Sequence, residues 1–368
     1  MATLPTSDRL LLGPGPSPVS ARVMQALAAP ARSHLDPDVL DLLDDVRGML
    51  GRVFQAPDGN LSIAVSGTGT AAMDAAAMNL IEPGMTVLAI VTGYFGERLA
   101  QVFARSGAYV ERLHVEWGRS VDPALVERAL IDARFDVVAM VHGETSTGVR
   151  NPVEAIAPIV RRREALFVVD AVTSLGTIPV DVSAWDADIV YACGQKGLGA
   201  PPGLSPITVS PRARHASPTC HSYACDFDLL EAFWVRRQYH HTISSPLVYA
   251  LHTALTELFE EGLEARWARH QAAHDALVAG LAGVGLELFA DPPHRLISLN
   301  AVRIPPGLDE KAVRARLLTT HGIEIGAGLG PLAGRIWRIG LMGSGATLAN
   351  VDRVVSALAE ALGRKRPK

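Results

Sequence analysis

Short apolar segments of strand length alternate with amphipathic segments of helix length over much of this 368-residue chain, starting near residue 36. A strand that is apolar on both faces needs cover on both sides, and a connecting helix lets the next strand run parallel to it. The alternation therefore predicts an α/β fold whose mainly parallel sheet lies between two layers of helices. The predicted strands are 61–65, 86–91, 109–113, 136–141, 166–169 and 189–191.

The C-terminal part of the chain has a different pattern. A long helical stretch, 246–281, is followed by predicted strands at 296–304 and 335–339, which have helices beside them at 309–320 and 347–363. A few strands mixed with flanking helices are typical of an α+β unit. We therefore predict a second, smaller domain at this end.

Length and composition agree with two hydrophobic cores. With 368 residues, of which 48% are hydrophobic, the chain can bury one large core and a smaller one. We predict a large domain over 16–262 and a small C-terminal domain over 263–368. They are preceded by an extended N-terminal arm, 1–15, whose first dozen residues are rich in Pro and Thr and are expected to lie outside both cores.

Charge and cysteine content restrict the class of protein. The formal net charge is −4 and no basic patch stands out, so we expect no nucleic acid partner. No apolar run is long enough to cross a bilayer, and the N-terminus lacks the pattern of a secretory signal, so no membrane is expected either. Three cysteines, Cys193, Cys220 and Cys225, fit a reducing compartment. We therefore predict a cytoplasmic protein whose partners are small molecules.

Asp170 and Lys196 indicate the chemistry. Asp170 ends the apolar segment 166–169, while Lys196 follows the apolar segment 189–191 and precedes a turn rich in Gly and Pro. Such a turn holds a lysine in a partly desolvated place, where its amine is more easily deprotonated. A lysine amine can condense with the aldehyde of pyridoxal 5'-phosphate, and a carboxylate can keep the ring nitrogen of this cofactor protonated. The pair therefore predicts a pyridoxal phosphate protein in which both residues are catalytic.

A turn rich in Gly and Thr, 66–70, follows the first predicted strand and opens a helix. Free backbone N–H groups at a helix start, together with two threonine hydroxyls, favour a phosphate group. The spacing of Gly67, Gly69 and Ala72 also fits a dinucleotide-binding fingerprint. That motif needs an acidic residue at the end of the next strand for the ribose, and the sequence has none there. A nicotinamide-dependent oxidoreductase is therefore a disfavoured alternative.

Segments 169–176 and 194–203 resemble the class V aminotransferases of fold type I, and within them the alanine–glyoxylate and serine–glyoxylate (or serine–pyruvate) aminotransferases. The resemblance extends from Leu11 to Gly343, and its motifs occur in the family's order. It implies the architecture of fold type I: a mainly parallel, seven-stranded sheet sandwiched by helices, with a smaller C-terminal α+β domain.

The resemblance also implies roles for residues around the cofactor. Lys196 would be joined to the cofactor, and Asp170 would face the ring nitrogen. Phe95 would stack on the ring where many relatives have Trp, and Thr145 would hydrogen-bond the phenolic oxygen. Gln195 would contact the phosphate or the ring edge. The phosphate would be held by Thr68, Gly69 and Thr70.

The segment 239–242 is expected to act in a partner subunit. In the similar family it reaches across a dimer interface, so that Tyr239 and Thr242 would donate to the phosphate bound by the other subunit. This implies a homodimer with composite active sites. His240 and His241 lie between them, but adjacent histidines of an extended segment point to opposite faces and cannot readily share an ion. We therefore expect no metal site.

Arg338 is the candidate for substrate binding. It shares a strand face with Ile336, so its guanidinium emerges from apolar surroundings and needs an anionic partner. A substrate α-carboxylate, held by two hydrogen bonds, would supply that partner, and an ion pair between domains is the structural alternative. The resemblance also suggests that the main chain of Gly15 contacts the same carboxylate.

Three positions depart from the pattern of the similar family. Gly194 stands where many relatives have a serine, Cys193 replaces a small residue, and Phe95 replaces Trp. These differences concern cofactor affinity and leave the predicted mechanism intact.

The activity that the resemblance implies is transamination from a small L-amino acid, alanine or serine, to glyoxylate, giving glycine and a 2-oxo acid. The residues alone indicate only a small carboxylate substrate. Other class V enzymes are alternatives: ureidoglycine–glyoxylate or aminoethylphosphonate–pyruvate transaminase and, less readily, a cysteine desulfurase, which needs a reactive cysteine on a flexible loop. An alternative of another class is a non-enzymatic regulator that binds pyridoxal phosphate. Such regulators usually need an added DNA-binding module, and two domains of the catalytic type already fill the chain.

Overall fold

The computed structural model describes residues 8–216 and 220–364. The strands are β1 (Leu10–Leu11), β2 (Leu61–Gly67), β3 (Thr86–Val91), β4 (Tyr109–His114), β5 (Val137–Val141), β6 (Gly143–Glu144), β7 (Val149–Arg150), β8 (Leu166–Asp170), β9 (Ile189–Tyr191), β10 (Gly203–Val209), β11 (Leu299–Arg303), β12 (Ile323–Glu324), β13 (Gly326–Ala327) and β14 (Ile336–Gly340). The helices are α1 (Ala21–Leu27), α2 (Pro37–Val53), α3 (Gly69–Leu80), α4 (Tyr94–Arg105), α5 (Pro123–Asp132), α6 (Val153–Arg161), α7 (Val182–Trp185), α8 (Pro211–Ala216), α9 (Phe227–Arg236), α10 (Ser245–Glu261), α11 (Leu263–Gly283), α12 (Glu310–His321) and α13 (Leu348–Ala361).

The central sheet has seven strands in the order β2-β10-β9-β8-β5-β3-β4. The pairs from β9 to β4 are parallel, whereas β10 is antiparallel to both of its neighbours. Strands β5 and β8 are buried at every position, as expected where a sheet is covered on both faces. The predicted α/β fold with a mainly parallel, seven-stranded sheet is confirmed.

Apolar side chains form two main cores. The larger core joins the central sheet to the helices around it and includes residues from Val23 to Leu258. The smaller core contains Leu12 and side chains of α11, α12, α13 and the small sheet β11-β14-β13. Among the described residues, no helix combines the length and the apolar character that crossing a membrane requires.

The structure differs from the sequence prediction in several elements, among them a strand, a helix and the N-terminal arm. Strand β10 was not predicted, and the predicted helix 246–281 is divided at Gly262, whose φ of +85° lies in the left-handed region. The first dozen residues do not all lie outside the cores. Residues 1–7 are not among the described residues, but β1 pairs with β12 and Leu12 is fully buried. Burial of the apolar Leu12 side chain explains why the arm packs on the smaller core.

Candidate active site

A cavity of about 310 Å³ opens where the parallel strands end, between the central sheet and β14. Its volume is at the lower end of the range for small-molecule sites, about 300–1,000 Å³. Tyr239 and Thr242 are the two predicted site residues that do not line it. The predicted residues that line it are Gly15, Thr68, Gly69, Thr70, Phe95, Thr145, Asp170, Gln195, Lys196 and Arg338.

Asp170 ends β8, and its carboxylate is held in a fixed direction. One oxygen accepts a hydrogen bond from the backbone N–H of Val172 at 2.8 Å, and the other accepts one from the hydroxyl of Tyr191 at 3.1 Å. Tyr191 lies opposite Asp170 in the register between β8 and β9. Burial raises the pKa of Asp170 to about 6. A cationic partner in the cavity would therefore stabilise its ionised form.

Lys196 lies in the turn after β9 and is 9% exposed. Its Nζ donates to the Thr173 hydroxyl at 3.3 Å and lies 5.7 Å from the centre of the Phe95 ring. Burial lowers the pKa of the Lys196 ammonium group, so the nucleophilic neutral amine forms more readily than in water. Gly15 has a φ of +115°, and a Cβ there would be 3.1 Å from Cγ of Lys196. The lysine and the N-terminal segment are therefore packed against each other.

The start of α3 forms one wall of the cavity. Thr68 precedes this helix, and its side chain makes no capping hydrogen bond. The first backbone N–H groups are therefore available to an anion, and the helix dipole favours negative charge there. The side-chain oxygen of Gln195 is buried without a hydrogen-bond partner among the described residues. Because a terminal amide can turn to present its NH₂ group, this position suits a phosphate oxygen.

The start of α4 is fixed by Glu144, which sequence reasoning missed. One carboxylate oxygen accepts hydrogen bonds from the backbone N–H groups of Phe95 and Gly96, at 3.1 and 3.0 Å. The other accepts from the N–H and the hydroxyl of Ser146, at 3.0 and 2.6 Å. Burial raises the pKa of Glu144, and these donors oppose that effect. A carboxylate so held connects the Phe95 turn to the loop of Thr145.

Arg338 projects from β14 and is 6% exposed. Its Nε donates to the carbonyl of Ala327 at 2.7 Å, and its Nη1 lies 3.5 Å from the carbonyl oxygen of Thr145. It forms no ion pair with any residue in 8–216 or 220–364. Burial lowers the pKa of its guanidinium to about 10. The structural alternative, an ion pair between domains, is thus not found in the described part of the chain, and an external anion can take that place.

Tyr239 and Thr242 are exposed and lie outside the cavity of their own chain. His241 contacts Ser66 through Nε2 at 2.8 Å, and its Nδ1 lies 3.0 Å from Nδ1 of His240. The expectation that the two histidines point to opposite faces is therefore wrong. The reason is that this segment is not a regular strand, so strict alternation does not apply. Within the described residues, no group of three or more His, Cys, Asp or Glu side chains could hold a metal ion.

A charged cluster around the buried Arg266, which contacts the lysine turn, was also missed. Arg266 is 5% exposed and donates to the carbonyl groups of Gly176 and Gly197, at 3.0 and 2.7 Å. These groups belong to the loops that follow Asp170 and Lys196 in the chain. Glu261 accepts from Arg266 at 2.8 Å and from Arg269 at 2.6 Å, and Arg269 donates to two carbonyl groups in the turn after β14.

Cys193 lines the cavity but does not have the properties of a reactive thiol. It is 1% exposed, and burial raises the pKa of its thiol to about 12, so it stays protonated at neutral pH. Cys220 and Cys225 are half-buried and do not line the cavity. The geometry therefore gives no support to a desulfurase mechanism.

The cavity fits pyridoxal 5'-phosphate. The uncapped start of α3 and the unpaired amide of Gln195 suit its phosphate, and the buried carboxylate of Asp170 suits a protonated ring nitrogen. Lys196 supplies an amine with a lowered pKa. Phe95 offers a flat apolar face on the same cavity.

Comparisons with known proteins agree with this site. The profile of the family described as aminotransferase class V matches residues 13–336. The chain is 36% identical to (S)-ureidoglycine–glyoxylate transaminase of Bacillus subtilis over 98% of this chain and 92% of that protein. It is 37% identical to alanine–glyoxylate aminotransferase of Oryctolagus cuniculus over 97% of this chain and 93% of that protein.

A solved structure gives the same result. The crystal structure of an alanine–glyoxylate aminotransferase from Nostoc sp. superimposes with a TM-score of 0.96 at 43% identity, covering 98% of this chain and 97% of that one. Both the predicted family resemblance and the predicted cofactor are confirmed. The chain belongs to the class V aminotransferases, which are enzymes that depend on pyridoxal 5'-phosphate.

Proposed function

We propose that this aminotransferase moves the amino group of a small L-amino acid, alanine or serine, to glyoxylate, giving glycine and a 2-oxo acid. The observation that carries the proposal is the buried guanidinium of Arg338, which lines the cavity without a carboxylate partner among the described residues. A substrate α-carboxylate would complete it with a bidentate pair. Because a cavity of about 310 Å³ must also hold the cofactor, it favours a small acid.

Each of the side chains Asp170, Lys196 and Arg338 has its own role in the proposed reaction. When bound, pyridoxal 5'-phosphate supplies an aldehyde that carries the amino group and a ring that withdraws electrons from the substrate Cα. Asp170 holds the positive charge of the ring nitrogen. The Nζ atom of Lys196, freed when the substrate amine takes its place, accepts the proton from Cα and later returns a proton as general acid. Arg338 orients the substrate carboxylate, with the main chain of Gly15 as the second proposed contact.

The remaining predicted residues bind the cofactor in this proposal. Phe95 stacks on the ring, and Thr145 hydrogen-bonds its phenolic oxygen. Gln195 donates to the phosphate or to the ring edge. The phosphate lies at the start of α3, where the helix dipole and the free N–H groups favour it. Its ligands there are Thr68, Gly69 and Thr70.

Glyoxylate is proposed as the amino acceptor because it is named in both relatives described above and in the Nostoc structure. The donor differs between those proteins. S-ureidoglycine is therefore the second candidate donor, favoured by the 36% identity to the Bacillus subtilis transaminase over 98% of this chain. Alanine, serine and S-ureidoglycine all carry an α-carboxylate, so each of them would use Arg338 in the same way.

We further propose a cytoplasmic homodimer with composite active sites and the division into an arm (1–15), a large domain (16–262) and a small domain (263–368). Support for the dimer comes from Tyr239, which is 64% exposed and packs its ring against His34 at 5.5 Å, outside its own cavity. A tyrosine and the exposed Thr242 at such a position are available to a phosphate in a second subunit. Sedimentation analysis would test the dimer, and a monomer that binds the cofactor fully would overturn it.

The visible absorption spectrum of the purified protein tests the reaction. We expect a band of the lysine-bound cofactor that disappears when L-alanine, L-serine or S-ureidoglycine is added, and returns when glyoxylate follows. The donor that bleaches the band most efficiently is the preferred one. A protein that stays colourless after addition of the cofactor would contradict the assignment of the cavity. A coloured protein that ignores all three donors would leave the cofactor in place and reject the proposed substrates.

A further inference from the structure

A second guanidinium lines the same cavity, and no role has been assigned to it. Arg98 lies one helical turn after Phe95 on α4 and is half-buried. Its Nη1 donates to the hydroxyl of Thr70 at 3.3 Å. Its Cζ lies 4.8 Å from the centre of the Phe95 ring and 5.4 Å from that of Tyr94. Arg98 therefore reaches from α4 to the first turn of α3.

The carboxylates near Arg98 are engaged elsewhere. Glu97, its neighbour in the chain, accepts from Arg112 at 3.1 and 3.2 Å. Glu144 accepts four hydrogen bonds from the α4 start and from Ser146. In the part of the chain that the structure describes, Arg98 forms no ion pair. A partly desolvated guanidinium without an anionic partner is available to an anion of a ligand.

None of the residues proposed to hold the phosphate carries a positive charge. The groups placed there are neutral: the hydroxyls of Thr68 and Thr70, the backbone of Gly69 and the amide of Gln195. A phosphate monoester carries a charge of about −1.5 to −2 at pH 7. Confining such a charge in a cavity is costly unless an opposite charge compensates it. The other guanidinium, Arg338, bonds instead to the carbonyl of Ala327 in the small sheet.

We infer that Arg98 binds the phosphate of the cofactor. Its guanidinium supplies positive charge at the start of α3, while its hydrogen bond to Thr70 aligns a second donor with the same group. The stacking on Phe95 fixes the guanidinium plane. The inference rests on the placement of the phosphate at Thr68–Thr70 proposed above. It does not depend on which amino acid is the donor.

Paired titrations with two forms of the cofactor test this role. The protein freed of cofactor is titrated with pyridoxal 5'-phosphate and with pyridoxal, which lacks the phosphate, and binding is followed by absorbance and by tryptophan fluorescence. We expect Arg98→Gln to bind pyridoxal 5'-phosphate about ten-fold to a hundred-fold more weakly, the equivalent of one lost charge-assisted hydrogen bond. Its affinity for pyridoxal should stay at the wild-type value, because that ligand has no phosphate.

Two further variants make the comparison specific. Arg98→Lys keeps the charge but loses the forked donor, so its affinity for pyridoxal 5'-phosphate should fall between those of wild type and Arg98→Gln. Arg105→Gln is the matched control, because Arg105 is exposed in the last turn of the same helix and does not line the cavity. Both ligands should bind to it as they bind to wild type.

Each other outcome has a distinct meaning. An equal loss of affinity for both ligands would overturn the inference and place the effect of Arg98 in the stacking of Phe95. Unchanged affinity for both ligands, with a raised KM for the amino acid or for glyoxylate, would make Arg98 a substrate residue instead. If Arg98→Gln has wild-type affinities for both ligands and wild-type KM values, Arg98 has no role in the cavity. If the titrations follow the expectation but no donor is turned over, the proposed substrates fail and the phosphate assignment remains.

Discussion

Arg338→Met should raise the free energy of unfolding and, at the same time, raise the KM for the substrates. Methionine keeps the length of the side chain and removes its charge. Arg338 is 6% exposed and forms no ion pair with a described residue, so the free protein holds a desolvated cation that the proposed substrate carboxylate would neutralise. Removing the charge should relieve the folded protein of that cost and deprive the substrate carboxylate of its proposed partner.

Both effects can be estimated. The lowering of the Arg338 pKa from 12.5 to about 10 corresponds to about 3 kcal/mol against the charged form, at roughly 1.4 kcal/mol for each pH unit. The hydrogen bond to Ala327 is lost on substitution, so we expect the free energy of unfolding to rise by about 1–2 kcal/mol. Loss of a charged hydrogen-bond pair costs binding about 1.5–3 kcal/mol, which raises KM about ten-fold to a hundred-fold.

Urea unfolding of the cofactor-free protein and steady-state kinetics measure the two effects separately. KM should rise for the donor and for glyoxylate alike, because both are α-carboxylates that would use the same guanidinium. Arg335→Met is the control, since Arg335 is exposed immediately before β14 and its replacement should change neither quantity. A destabilised Arg338→Met protein with unchanged KM values would refute the reasoning and make Arg338 a structural residue.

Three more substitutions test the site. Lys196→Ala should abolish transamination, since no other amine among the described residues lines the cavity, while the midpoint of thermal unfolding stays near that of wild type. Tyr191→Phe removes a donor to Asp170 and so raises further the pKa of that carboxyl group, about 6 in the free protein. Because Asp170 is ionised in the proposed mechanism, the loss of cofactor affinity on acidification should begin at higher pH in this variant. Glu261→Gln should lower the free energy of unfolding by about 2 kcal/mol, because the buried Arg266 loses a charged partner.

Other results would reject these assignments one by one. Full turnover by the lysine variant would mean that another amine carries the proton. If the cofactor affinity of Tyr191→Phe has the same pH dependence as that of wild type, the proposed pairing of Asp170 with the ring nitrogen is rejected. If Glu261→Gln has the wild-type free energy of unfolding in urea, the charged cluster around Arg266 does not stabilise the lysine turn.

The parallel part of the sheet could be predicted because most of its strands are apolar segments, with the edge strand β4, which contains Glu111 and Arg112, as the exception. Strands β3 and β9 were predicted with their observed bounds. Strand β10 was not, because Ser205, Pro206 and Thr208 interrupt its apolar pattern and proline is rare in a central strand. The structure uses Pro206 as an acceptor only, since its carbonyl accepts from the N–H of Ala192. Gly262 was missed as a helix boundary because the apolar periodicity continues on either side of a one-residue break.

The residues at strand ends could also be predicted. The carboxyl ends of parallel strands lie at one edge of a sheet, which explains why Asp170, Thr145 and the first turn of α3 line one cavity. Tyr191 was missed although it lies in a predicted strand. Its hydroxyl reaches Asp170 only because β9 pairs with β8 in the register that sets the two residues opposite each other. Pairing and register are not encoded in the local sequence.

The contacts of Glu144 also depend on which strands are neighbours, and they affect two residues of the candidate site. Glu144 is 49 positions from Phe95 in the chain, yet its carboxylate accepts from the N–H of that residue because β3 and β5 are neighbours in the sheet. The side chain next to it in sequence is Thr145. Phe95, proposed to stack on the ring, and Thr145, proposed to bond the phenolic oxygen, are therefore held relative to each other by one buried carboxylate. The relative position of these two proposed cofactor contacts thus depends on strand order, which only the folded chain provides.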